Sequence, residues 1–230
     1  MYTLHIGNKN YSSWSLRPWV LMRELNIAFE EKLVPFQEGS SFESFRAFSP
    51  TGKVPCLLDG GTVVWESLAI TEYLAERHES VWPADPQARA WARCASTEMH
   101  AGFTALREQC TMNCGLRVRL DDLPEEVERD IARLIELWAE GRRRFGGPFL
   151  AGRSFTAADA FFAPVAFRVQ TYDLPLDEDA RSYVTRLLAL PSMHEWYAEA
   201  LAEPWRDSAH ETFVKGTILQ DHRVAHGRSS

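Results

Sequence analysis

No run of about 18 consecutive apolar residues occurs anywhere in the chain, which excludes a membrane-spanning helix. The opening residues, Met1-Tyr2-Thr3-Leu4-His5-Ile6, hold neither a basic stretch nor a long apolar one, so a secretory signal is not expected. Cysteine is scarce. The four present, at positions 56, 94, 110 and 114, form no C-x-x-C and no zinc spacing. A reduced, cytoplasmic setting is the simplest expectation, with no metal site. An excess of basic charge is missing too: the net charge is −7, which argues against nucleic acid as a partner. Internal repeats and low-complexity blocks are absent, and no Ser-His-Asp arrangement is evident.

What remains is ordinary globular material. Hydrophobic residues make up 45% and charged residues 25% of 230 positions, enough for one domain and a helical partner. Residues 2 to 6 alternate and read as a strand ended by Gly7-Asn8-Lys9-Asn10. Leu16, Trp19 and Val20 have helical spacing, and Pro18 is comfortable only in a first turn. The helix therefore starts near Ser13 to Ser15, with Ser12 and Ser13 just before it. Residues 28 to 36 suggest a second strand, and 42 to 48 a short helix. Residues 54 to 58 form an apolar strand, Asp59-Gly60-Gly61 a hairpin turn, and 62 to 65 a second strand. A helix follows at once from Ser67, with Ile70, Tyr73 and Leu74 on one face. Pro55 belongs at a sheet edge or in a special turn, where a Val54-Pro55 bond is a candidate for cis.

Residues 79 to 86 carry two prolines and read as a linker, and everything beyond reads as helical. One helix is expected from 87 to about 112, with Trp91, Ala95 and Met99 on a stripe. A second spans 124 to 145, with Val127, Ile131, Leu134 and Trp138 inward and Arg142-Arg143-Arg144 either complementing its C-terminus or binding an anion. Thr156 and Asp159 form a capping-box pattern ahead of an apolar run that Pro164 should kink. Two more helices fall near 177 to 190 and 192 to 202. The tail from about 206, with His222-x-x-x-His226 and Gly227-Arg228-Ser229-Ser230, is weakly patterned, and partial disorder is expected there. Cys110 and Cys114 should share a helix face as core or surface thiols.

Three stretches carry a resemblance. Val54-Pro55 followed by Glu66-Ser67 resembles the glutathione-site half of the thioredoxin-like domain in cytosolic glutathione transferases. Thr156 to Asp159 resembles the capping box of that family's helical second domain. Ser12-Ser13-Trp14-Ser15-Leu16-Arg17 resembles the serine motif of its zeta class, as found in bacterial-type members. The resemblance implies an α/β thioredoxin-like N-terminal domain over 1–78, a linker at 79–86, an all-helical C-terminal domain over 87–205 and a tail over 206–230. It implies a homodimer that uses glutathione as co-substrate and attacks a small electrophile.

In that reading Ser12 or Ser13 donates a hydrogen bond to the glutathione sulfur; the two are not distinguished. Val54 and Pro55 offer backbone to the peptide, and Glu66 and Ser67 take its γ-glutamyl end. Lys53 either holds the glycyl carboxylate or is a solvated charge. Trp14, Met99, Phe103 and Leu106 are expected around the electrophile. Arg168 either pairs with a carboxylate on a neighbouring helix or faces the inter-domain cleft and receives an anionic group. Trp14 stands where the zeta class has cysteine, and the zeta-class substrate arginine falls near Thr171. The alternatives are thus a zeta-like cis-trans isomerase of the maleylacetoacetate type, and a non-catalytic interaction module resembling the stringent starvation proteins.

Overall fold

A computed structural model describes residues 1–224; His226 and the rest of 225–230 lie outside the described residues. Strand β1 (Tyr2–Ile6), helix α1 (Ser13–Glu24) and strand β2 (Phe29–Leu33) form a crossover unit with the two strands parallel. After the short α2 (Phe42–Arg46), β3 (Cys56–Asp59) and β4 (Thr62–Trp65) extend the sheet as an antiparallel hairpin, giving the order β2-β1-β3-β4. Asp59 faces Thr62 across a two-residue Gly-Gly loop, and Gly60 takes a positive φ of 57°, as such a turn demands. Strand β3 is interior, so Pro55 sits just ahead of it, where its missing N–H costs the ladder nothing. The Val54-Pro55 bond is cis. Helix α3 (Ser67–Ala75) closes this half.

The second half is helical. Helix α4 (Pro86–Ala101) begins with Pro86 at its first position, and Asp85 accepts from Ala88 N at 2.8 Å. The expected continuous helix to residue 112 is interrupted: Gly102 ends α4, Phe103 turns to φ 51°, and α5 (Thr104–Gln109) starts afresh. Cys110 and Cys114 accordingly fall after α5 rather than on one helix face; both are buried. Helix α6 (Glu125–Phe145) buries Val127, Ile131, Leu134 and Trp138 and stops at Gly146. Its Arg142 also pairs with Asp179, 3.0 Å away.

Helix α7 (Ala157–Tyr172) is the axis of the molecule. Nearly every residue in it is buried, and it packs on α1, α4 and α8 (Glu178–Leu188). It runs on as helix through Pro164. Asp159 is fully buried at its first turn: one carboxylate oxygen accepts from Leu150 N (3.0 Å) and Tyr183 Oη (2.9 Å), the other from Thr156 N (3.0 Å). Helix α9 (Pro191–Ala202) lies against α1. Between it and residue 224 the chain holds more regular structure than its pattern suggests. A short α10 (Ser208–Thr212) leads to strand β6 (Thr217–Asp221), which pairs antiparallel with β5 (Leu116–Arg119), so the helical half carries a two-stranded ribbon.

Removing the Asp159 carboxylate strands three buried donors inside the core. Asp159→Ala should lower the unfolding free energy by about 3 kcal/mol, measured by denaturant titration. A loss under about 1 kcal/mol would show that the box contributes little.

Candidate functional site

The loop between β1 and α1 is polar yet buried. Asn8, Lys9 and Asn10 are each no more than 1% exposed. Glu203, at the end of α9, accepts from Lys9 N at 2.5 Å and from Asn10 N at 3.4 Å. Trp196 Nε1 donates to Lys9 O at 2.9 Å, and Asn10 Nδ2 donates to Asn113 Oδ1 at 3.0 Å. The Lys9 ammonium pairs with Glu31 and Glu199 and sits over the rings of Trp19 (4.8 Å) and Trp196 (5.4 Å). Gly7 permits the close approach at the loop's start: a Cβ there would lie 2.8 Å from the Phe36 ring and 3.2 Å from a Val54 methyl.

This loop delivers the start of α1 to a cavity of about 330 Å³ between the two halves. Tyr11, Ser12, Ser13 and Trp14 form one wall. Arg107, Glu108, Thr111 and Met112 come from α5 and the turn after it, Arg168 from α7, and His210 and Phe213 from the tail. Ser12 Oγ donates to Ser15 Oγ at 2.7 Å, and Ser12 gives α1 no side-chain cap. The Ser13 hydroxyl, half-buried at the helix start, makes no side-chain hydrogen bond among the described residues. Tyr11 donates its hydroxyl to Glu211, and burial together with that bond raises its pKa.

Three guanidinium groups gather here without a carboxylate partner among the described residues. Arg17 is 2% exposed, with Nε and Nη1 unbonded, and lies over the rings of Trp14 (4.1 Å) and Phe161 (5.0 Å). Burial lowers its pKa, the charges of Arg168 and Arg107 lower it further, and Glu66 opposes them. Arg168 donates from Nε to Cys110 O at 2.8 Å, keeps Nη1 unbonded, and is pushed down to about 10 by burial. Among the described residues it makes no ion pair with a neighbouring helix, against the expected carboxylate partner. Arg107 lies 5.4 Å from the Trp14 ring centre. Uncompensated buried cations are costly, which marks the cavity as a place for an anion. Thr171, where the zeta-class arginine would fall, donates its hydroxyl to Asn113 O at 2.8 Å.

The second group of expected residues lies at the strand-to-helix junction. Glu66 has a positive φ of 73° and an exposed side chain, with a carboxylate oxygen 3.9 Å from His100 Nε2. His100 in turn meets the Trp14 ring edge-on at 5.2 Å, which joins this junction to the cavity wall. Ser67 is buried, and its hydroxyl has no hydrogen-bond partner among the described residues. Val54 is half-buried ahead of β3, and Lys53 is exposed. Met99, Phe103 and Leu106, expected around the electrophile, are core residues instead. The break at Gly102 and Phe103 restarts the helix, and Thr111 and Met112 take the cavity wall. Cys110 and Cys114 are free thiols whose pKa is raised by burial, Cys110 to about 11. The tail residues His210 and Phe213 were not anticipated, because nothing near them in sequence carries a pattern. No cluster able to hold a metal ion occurs among the described residues.

Two family profiles match the chain: Glutathione S-transferase, N-terminal domain, over residues 11–77, and Glutathione S-transferase, C-terminal domain, over residues 118–199. The chain is 27% identical over 215 residues to Glutathione S-transferase F14 of Arabidopsis thaliana, covering 88% of this chain and 78% of that one. It is 26% identical over 167 residues to the Probable maleylacetoacetate isomerase of Caenorhabditis elegans, covering 72% and 78%. The fold is similar to that of a glutathione transferase homologue from Burkholderia (BGR1), solved with bound glutathione. The TM-score is 0.64 at 23% identity, over 86% of this chain and 97% of that one.

The anchor of the buried loop should make stability fall with rising pH. Burial pushes the Glu203 carboxyl up from 4.5 to about 7, against the hydrogen bonds from Lys9, Asn10 and Asn8. A raised carboxyl holds its proton more tightly folded than unfolded. Its stabilising contribution is therefore complete below pH 4.5 and lost as the pH rises to about 7. Denaturant titrations across this interval should give a flatter pH slope for Glu203→Gln than for the wild type; equal slopes would contradict the assignment.

Proposed function

The chain belongs to the glutathione S-transferase superfamily, and from that premise we propose that it transfers glutathione to a small anionic electrophile. The observation that carries this reading is the start of α1, where an uncommitted Ser13 hydroxyl faces a cavity lined by Arg107 and Arg168, with Arg17 stacked on the wall residue Trp14. A cysteine thiol has a pKa of about 8.5, and lowering it by about two units takes roughly 2.7 kcal/mol. One charge-assisted hydrogen bond, the first-turn N–H groups of α1 and the positive field of Arg17, Arg107 and Arg168 supply interactions of that size. Ser12 already donates to Ser15, and Tyr11 to Glu211, so Ser13 is the hydroxyl with a hydrogen to offer the sulfur.

The cofactor end follows from the junction geometry. Ser67 brings an unpartnered hydroxyl, Glu66 a carboxylate for the peptide's amino group, and Val54 a backbone outside the β3 ladder for strand-like pairing. Lys53 is exposed and free to meet the glycyl carboxylate. Trp14, Arg107 and Arg168 receive the electrophile, whose negative group completes the guanidinium cluster. The zeta-like isomerase reading draws support from the similarity to the C. elegans protein. Trp14 at the cysteine position and the engaged Thr171 favour transfer. A homodimer, usual for this fold, and a reducing cytoplasm belong to the same proposal.

Isothermal calorimetry with glutathione tests the first half. Ser67→Ala should weaken binding by about 1–3 kcal/mol, the worth of a hydrogen bond to a charged group. Thiolate absorbance of the bound cofactor should titrate at higher pH in Ser13→Ala and stay near the wild-type value in Ser12→Ala. The reverse order would move the role to Ser12.

Arg168→Met tests the second half. It keeps the stem volume and removes the charge, so kcat/KM should fall at least tenfold for carboxylate-bearing electrophiles and change little for neutral ones. A uniform loss, together with a lowered melting temperature, would limit Arg168 to holding the Cys110 turn.

A further inference from the structure

Proton removal is the step that the cavity's serines and arginines leave without an agent. A glutathione thiol that bonds to carbon must give up its hydrogen. Ser13 donates to the sulfur, arginine side chains have no lone pair to offer, and Tyr11 is committed to Glu211. Two groups on the cavity wall can accept a proton, Glu108 and His210.

His210 is built for it. Asp207, 6% exposed, accepts from the backbone N of His210 at 2.9 Å, and the same oxygen lies 2.6 Å from His210 Nδ1. A carboxylate only accepts, so the ring proton sits on Nδ1 and Nε2 keeps its lone pair. The ring is held between Tyr11 (centroids 5.1 Å apart, 24° between planes) and Phe36 (4.7 Å, 26°). Its segment is anchored rather than loose. Glu211 accepts from Tyr11 and pairs with Arg223, and Lys215 Nζ donates to Gln109 Oε1 at 2.6 Å. Glu108, by contrast, is exposed on α5.

We propose that Asp207 and His210 form the proton-accepting pair of this site. The inference rests on the glutathione reading. On binding, the glutathione S–H bond breaks, its electron pair stays on the sulfur as the thiolate that Ser13 holds, and the proton passes to His210 Nε2; the thiolate then bonds to the electrophilic carbon. The leaving group departs with its bonding pair, or, in an addition, the displaced π pair takes the proton back from the imidazolium. The charged groups around His210 are Asp207 and Glu211 on its own segment, Glu108 and Arg107 on α5 and Arg168 on α7, with Arg223 paired to Glu211. Tyr11, against the ring face, stays neutral.

The test is the pH profile of kcat/KM beside glutathione calorimetry, for wild type, His210→Gln and Asp207→Asn. His210→Gln should bind glutathione within twofold of wild type yet lose about 100-fold in kcat/KM at neutral pH, and its acid limb, set by ionisation of the bound thiol, should move to higher pH. Asp207→Asn keeps an acceptor for both His210 bonds and removes the neighbouring charge. Its acid limb should move the same way by less, with a smaller loss in rate. Profiles that coincide with wild type, a limb displaced by Glu108→Gln instead, or binding and rate lost in parallel would each overturn the pair while leaving the glutathione reading intact. A wild-type protein that does not bind glutathione would overturn both.

Discussion

The burial of the Asn8-Lys9-Asn10 loop is the constraint on which the rest of the arrangement depends. A polar loop taken out of water must find a partner for each N–H, C=O and charge. Here those partners come from the far half of the chain: Glu203 and Trp196 from α9 and its end, Asn113 from the turn before β5. The satisfied loop is therefore a joint between the two halves. It sets where α1 begins and so where Ser12, Ser13 and Trp14 stand relative to Arg107 and Arg168. Apolar contact between α1 and α7 supplies attraction, but it is non-directional; the hydrogen-bonded loop supplies the registration.

The three guanidinium groups act on the site in opposite senses. Arg17 and Arg168 are a cost to the empty protein, since burial without a counter-charge disfavours the ion, and both are displaced downward in pKa for that reason. The same arrangement favours any anion that enters, whether a thiolate or a carboxylate, and it does so without reorganisation because the groups are already held. Trp14 is common to the group: Arg17 lies over its ring and Arg107 near it, with His100 at its edge. The indole π system attracts both cations.

Legibility in the sequence followed the range of the interaction. The Thr156 and Asp159 box, the Gly60-Gly61 hairpin and the Glu66-Ser67 junction are written within a few residues of each other and were readable. So was the serine pair ahead of α1. The break at Phe103 was not, because a single glycine, Gly102, inside good periodicity is a weak stop signal; with it went the assignment of Met99 and Leu106 to the cavity. Strand β6 pairs with a segment about a hundred residues earlier; Leu116 to Arg119 alternates, but Thr217 to Asp221 does not and is exposed throughout, so nothing in it points to a partner. His210 was invisible for the same reason. Its partner Asp207 is near, but the rings that hold it, Tyr11 and Phe36, belong to the first part of the chain.

The tail's return to the first domain also orders events during synthesis. Domains fold as units, the N-terminal one first, as the chain emerges from the ribosome. The thioredoxin-like half and the helices up to α9 can be complete before residues 207 to 221 exist outside the exit tunnel. Until then the cavity lacks one wall, and Tyr11 has no Glu211 to hold it. A nascent chain, or a fragment left by stalled translation, would carry the serines and the guanidinium cluster without the segment that finishes the site. Competence is thus deferred until residues 207 to 221 have been made.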